Sequence, residues 1–175
     1  TDTTNNSMYT HDVSGTDDTA TGNTAYGFTA MDAITTGDSN VAIGYRAGSA
    51  ITGGSQNVAV GKDAGYSLTV GNYNVAIGFE ALYTEDAGGF CVAIGRRALK
   101  AQNTAGNPYN IAIGYHTAQS ITTGLYNTAV GGEALSTNVD GDNNTAIGFR
   151  ALKSFEADTD GHGSNTAVGA NAAEN

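Results

Sequence analysis

Asn40-Val41-Ala42-Ile43-Gly44 is the stretch on which the reading of this chain turns. Close copies stand at residues 57–61, 74–78, 110–114, 127–131, 144–148 and 165–169, with looser ones at 23–27 and 91–95. The closing glycines fall at 27, 44, 61, 78, 95, 114, 131, 148 and 169, so that 17 is the usual spacing and only the steps 95 to 114 and 148 to 169 are longer. A fixed period of roughly 20 residues is the mark of a solenoid, in which each repeat forms one coil of a stack.

With each closing glycine as position zero, the copies read as columns. Position −2 is Ala in all nine copies, flanked at −3 and −1 by Val, Ile and Thr, with Tyr26 the outlier. That alternation predicts a strand in every repeat, branched residues on one side and alanines on the other. Small size at −2, and Ala again at +3 in eight copies, predicts two backbones close together. A thin interior of Val, Ile and Ala is the expectation. Position −4 is Asn23, Asn40, Asn57, Asn74, Asn110, Asn127, Asn144 and Asn165, with Cys91 in the remaining copy. Stacked at a strand spacing of roughly 4.8 Å, Asn side chains form a hydrogen-bonded ladder.

A second glycine recurs at +10 (Gly37, Gly54, Gly71, Gly88, Gly124, Gly141) and predicts a positive-φ turn. The two long repeats carry their extra residues beyond +7, at 103–108 and 158–163, where insertions become loops. Position +2 predicts a solvent-facing column in which Arg46/Asp63, Glu80/Arg97 and Glu133/Arg150 pair across neighbouring coils. Position +1 is often aromatic, and −5 gives four consecutive aromatics, Tyr73, Phe90, Tyr109 and Tyr126. Residues 6–10 read as a degenerate first coil with Thr10 at position zero. The prediction is therefore an all-β, parallel β-solenoid of nine to ten rungs, mostly 17 residues each and roughly 45 Å tall. An N-terminal segment, 1–22, precedes a repeat domain, 23–175. A roll this thin with a face of small residues predicts self-association about an axis parallel to the stack.

Composition narrows the function. Seven Lys and Arg against 17 Asp and Glu give a formal charge of −10, which argues against a nucleic-acid or anionic-membrane surface. No apolar run reaches the length of a membrane span, roughly 18 residues. One cysteine permits no internal disulfide. The 25 glycines are periodic, so they do not read as a linker. The chain opens at Thr1 rather than Met, which reads as a mature form or an excised piece.

The phrase Asn-Val-Ala-Ile-Gly, with Ala at +3 and Gly beyond, resembles the head repeats of YadA-like trimeric autotransporter adhesins and similar repeats in phage tail fibres. The resemblance covers residues 23–172. It implies a left-handed parallel β-roll and a homotrimer. The mostly 17-residue rung is longer than the YadA-type repeat, so the turn from +4 to +12 departs from that pattern.

Candidate chemistry is sparse. His11, His116 and His162 lie on different repeats, and no G-x-S-x-G motif occurs. Cys91 reads as a small, half-buried, unreactive thiol. Asp158 and Asp160 partly match a calcium loop but lack its third acid and later Glu; calcium there is the one cofactor candidate. Asp63 and Glu80 on adjacent coils form a carboxylate pair of the kind glycosidases use, on an open ladder without a cleft. The stripe Tyr73, Phe90, Tyr109, Tyr126 reads as a subunit contact, rung-to-rung stacking or a carbohydrate platform. Asn5 and Asn143 open N-glycosylation patterns. Together these predict a non-enzymatic fibre protein, extracellular or on a virion. It forms a rigid oligomeric shaft or head for attachment to a surface, glycan or receptor. Two alternatives stand beside it: a self-stacking filament subunit whose N-terminal segment pairs onto the next molecule's open edge, and a fibre-borne glycan hydrolase.

Overall fold

The computed structural model describes residues 8–9, 19–155 and 163–174. It is a parallel β-solenoid. Strands β2 (Thr24–Tyr26), β3 (Val41–Ile43), β4 (Val58–Val60), β5 (Val75–Ile77), β6 (Val92–Ile94), β7 (Ile111–Ile113), β8 (Thr128–Val130), β9 (Thr145–Ile147) and β10 (Thr166–Val168) stack in chain order. The register sets Ala25, Ala42, Ala59, Ala76, Ala93, Ala112, Ala129, Ala146 and Ala167 in one vertical file. Both inserted repeats keep that file, and the extra residues at 103–108 leave it as a loop. Strand β1 (Met8–Tyr9) pairs with β2, Met8 beside Thr24 and Tyr9 beside Ala25. That is one residue off the register with Thr10 at position zero.

The interior differs from the expected one. The file of alanines is fully buried from Ala25 to Ala146, but the branched strand residues point outward and none of them joins the buried core. The core is instead alanine at −2 and +3 together with two further columns. At +4 stand Met31, Gly48, Gly65, Leu82, Leu99, Ala118, Leu135 and Leu152; at +7 stand Ile34, Ile51, Leu68, Glu85, Gln102, Ile121, Asn138 and Phe155. These columns compete for one space. A Cβ on Gly48 would lie 2.8 Å from Ile51 Cδ1, and one on Gly65 3.0 Å from Leu68 Cδ1. Where +4 is glycine, +7 supplies the aliphatic bulk. Where +4 is Leu82, Leu99 or Leu135, +7 is polar.

Each coil turns through left-handed residues at −5, +2 and +4, such as Gln56 (φ 61°), Asp63 (φ 58°) and Leu82 (φ 48°). That conformation costs a residue other than glycine about 1–2 kcal/mol. It aims successive N–H groups along the stack in opposite directions. Arg46 N–H donates to Phe28 O (3.0 Å) on the coil before, and Gly48 N–H donates to Ala64 O (2.9 Å) on the coil after. Backbone polarity is thus satisfied between coils, so a coil gains its structure only from its neighbours.

The positive φ predicted at +10 falls elsewhere. It sits at the closing glycines, with φ from 125° to 140°. Gly54 is required for close approach: a Cβ there would stand 2.5 Å from Gly71 O, and on Gly124 it would stand 2.6 Å from Gly141 O.

Candidate functional site

Four side-chain columns run the length of the stack. The innermost is the Asn column. Asn57 N–H donates to Asn40 Oδ1 (2.9 Å), and Asn57 Nδ2 donates both to that oxygen (3.1 Å) and across the coil to Gly71 O (2.8 Å). The pattern repeats from Asn23 to Asn40 and from Asn127 to Asn144. At the upper end Asn165 donates to Asn144 Oδ1 through both nitrogens (3.2 and 3.0 Å). Each amide ties a coil to its neighbour, and those that reach a +10 carbonyl also span the interior. Cys91 opens the coil that carries the 103–108 insertion and has no amide to span it. The rung adapts: Cys91 N–H still donates to Asn74 Oδ1 (3.0 Å), while Asn110 Nδ2 reaches Gln102 Oε1 (2.5 Å) and Gly124 O (2.6 Å). The Cys91 thiol is fully buried, and burial pushes its pKa up to about 12. It is inert at neutral pH.

The same stretch carries a buried acid. Glu85 is fully buried; Oε1 accepts from Gly88 N (2.8 Å), while Oε2 has no hydrogen-bond partner. Burial raises its pKa, against the opposing pull of hydrogen bonds from backbone N–H groups including Gly88 and Thr104.

The +2 column forms the ion pairs. Arg46 Nε lies 2.7 Å from Asp63 Oδ1, Arg97 Nε 2.9 Å from Glu80 Oε2 and Arg150 Nε 2.9 Å from Glu133 Oε2. Lys100 and Lys153 add second cations at 2.7 Å to Glu80 and Glu133. The column does not simply face water, because Asp63 is only 3% exposed. Desolvation pushes the Glu80 carboxyl up, but hydrogen bonds from Lys100 and Arg97 outweigh it and hold the group below its ordinary range. Glu80 is thus an anion held between Arg97 and Lys100. Arg96 Nη1 contacts His116 Nε2, and burial followed by the charges of Arg96 and Arg97 lowers the His116 pKa.

The third column, at +1, holds residues that the aromatic pattern alone overlooks. Lys62 and Arg96 occupy it between the rings. Lys62 Nζ lies 5.9 Å from the Tyr45 centroid and 5.5 Å from Phe79; the Arg96 guanidinium lies 5.7 Å from Phe79 and 5.6 Å from Tyr115. Reading Gly61 and Gly95 as position zero puts both cations in that column directly, so position alone carries the signal. The fourth column is the −5 stripe. Tyr73, Phe90, Tyr109 and Tyr126 stack at centroid distances of 4.8, 5.1 and 5.7 Å, each 39–54% exposed. Their ring faces are spent on one another, and their edges and hydroxyls face solvent.

Among the described residues, no group of three or more His, Cys, Asp or Glu side chains could hold a metal ion. No helix there is long and apolar enough to cross a membrane. Asp158, Asp160, His11, His162 and Asn5 lie outside the described residues. Compared with protein-family models, characterised proteins and solved structures, the chain matches none.

Proposed function

We propose that this chain is a non-enzymatic, homo-oligomeric segment of an extracellular or virion fibre, a rigid shaft or head that carries surface or glycan attachment. One observation carries the reading: the outward −1 residues of β2–β10, from Tyr26 to Val168, form a continuous apolar file, with Val or Ile beside it at −3 in β3–β7. Ile43, Ile77, Ile111, Ile113 and Ile147 are each 36–40% exposed, Tyr26 is 64% exposed and Val168 67%. Contiguous apolar surface on a soluble protein marks an interaction site. The face is straight, repeats with the coil and lies along the stack, so a second and third copy fit it with the same register throughout. Three copies is the number that the resemblance to YadA-like heads implies.

The mechanism is mechanical. Coils tied by backbone, Asn and charge columns make an extended rod from many small, identical interactions. Negative-stain imaging of the purified assembly tests it. Discrete short rods of uniform width are expected. Long polymers would favour the filament alternative, and single-chain particles would overturn self-association altogether.

A further inference from the structure

A groove of about 740 Å³ runs beside the ion-pair column near the N-terminal end of the described stack. Its walls carry Phe28, Tyr45 and Tyr66 together with Arg46, Asp32 and Asp86. We propose that it binds a neutral oligosaccharide. The inference deepens the attachment reading and rests on it.

Three features select this ligand class. The first is the aromatic wall. Phe28 is stacked by Tyr45 at 6.1 Å and is 73% exposed, and Tyr66 is backed by Tyr83 at 5.0 Å. Phe28 keeps its outer face open, and Tyr45 and Tyr66, covered by neighbouring rings and Arg46, present their edges, so the wall offers apolar contact to the C–H groups of a sugar. The second is the hydrogen-bonding set. Arg46 is fixed over Tyr45 (5.2 Å) and Tyr66 (4.7 Å), and its Nε is taken by Asp63. Among the described residues no hydrogen bond engages its Nη groups. Asp32 and Asp86 add exposed carboxylates. A ligand that supplies both donors and acceptors on an apolar frame meets all of these.

The third feature is exclusion. The single arginine is already paired and two carboxylates line the groove, within a chain of charge −10, so an anionic glycan is repelled. An extended peptide seeks unpaired strand edges. Here the backbone is occupied: Gly48 N–H donates to Ala64 O and Ala50 N–H to Tyr66 O. The guanidinium, held over Tyr66 and paired with Asp63, is set before a ligand arrives, which limits the ordering cost of binding.

The test is calorimetric titration with cellohexaose, maltohexaose, chitohexaose and mannohexaose, with polygalacturonate and hexalysine as contrasting probes. Saturable binding of at least one neutral hexasaccharide is expected. Tyr45→Ala and Tyr66→Ala should each weaken it about tenfold or more, and Asp32→Ala, an exposed change, should weaken it without touching the fold. Tyr126→Ala, on the distant stripe, should leave it unchanged. No binding by any neutral sugar, binding only by the charged probes, or binding that survives both tyrosine variants overturns the proposal. Sedimentation of the same samples separates the two readings. An oligomer that ignores every sugar removes the groove alone, whereas a monomer that binds sugar keeps the groove and removes the fibre.

Discussion

The coils that follow Gly44 and Gly61 and the coils that follow Gly78 and Gly95 share strand register and the left-handed turns at +2 and +4, and hold different interiors. The first pair leaves +4 empty with Gly48 and Gly65, and fills the space from +7 with Ile51 and Leu68. The second pair fills it from +4 with Leu82 and Leu99, and turns +7 over to Glu85 and Gln102. The Asn ladder is unbroken through the first pair and interrupted by Cys91 in the second. Repetition therefore constrains the backbone and the alanine file strictly. It leaves the +4 and +7 positions to vary from coil to coil. Polar groups also stand inside at +7: Glu85 accepts from Gly88 N–H, Gln102 donates to Thr122 O, and Asn138 is buried with neither amide atom hydrogen-bonded.

The largest expected effect is at the ladder. Asn57→Ala leaves Asn74 N–H and Gly71 O without their partners, and a cost of about 3 kcal/mol or more in denaturant unfolding is expected, from two buried unsatisfied groups. Cys91→Ala in the adapted coils should cost only about 1 kcal/mol. Equal losses would erase the distinction between the two regions. Next come the +10 glycines. Gly54→Ala drives a Cβ against the Gly71 carbonyl and should cost about 2 kcal/mol. Gly106→Ala, where a Cβ meets nothing within 4 Å, should stay within about 0.5 kcal/mol of wild type.

Glu85 tests the interior of the adapted coils by pH. Its pKa is raised in the folded state, so folding binds the proton, and stability falls as pH climbs from the unfolded value, about 4.3, through the raised one. Glu85→Gln should remove that slope and gain about 1 kcal/mol at neutral pH, because an uncompensated buried charge is gone. Thermal unfolding of both proteins between acidic and neutral pH checks it; a variant with the wild-type slope contradicts it. Glu80 behaves in the opposite sense. Its pKa is lowered, so the stability it lends is lost as pH falls below the ordinary carboxylate range. Glu80→Gln should cost no more than about 1 kcal/mol, less at high salt.

The period, the strand positions and the alanine file are legible in the sequence because they rest on strict spacing and side-chain size. The four aromatics at −5 are legible as a column, and their stacking follows from the strand register. The outward turn of Val41, Ile43 and their equivalents is not legible. Alternation gives two faces, and hydrophobicity alone assigns the branched face to the core. The alanine face wins because the opposing wall comes so near that only Ala fits beside the +4 and +7 side chains. The +4/+7 exchange is hidden because neither column is uniform and because it holds in only some coils; Met31/Ile34 and Leu152/Phe155 keep both side chains large. The groove joins +1, +2 and +5 residues of different coils, which no single column displays.

Sedimentation equilibrium tests the outward face most directly. For the wild-type chain of 17.7 kDa we expect a mass near three times that value at micromolar concentration. Ile43→Lys, Ile77→Lys and Ile113→Lys, all outward and clear of the core, should shift the mass to one chain with the solenoid's circular dichroism intact. A wild-type protein that sediments as a single chain, or lysine variants that stay assembled, would contradict the assignment of that face to self-association.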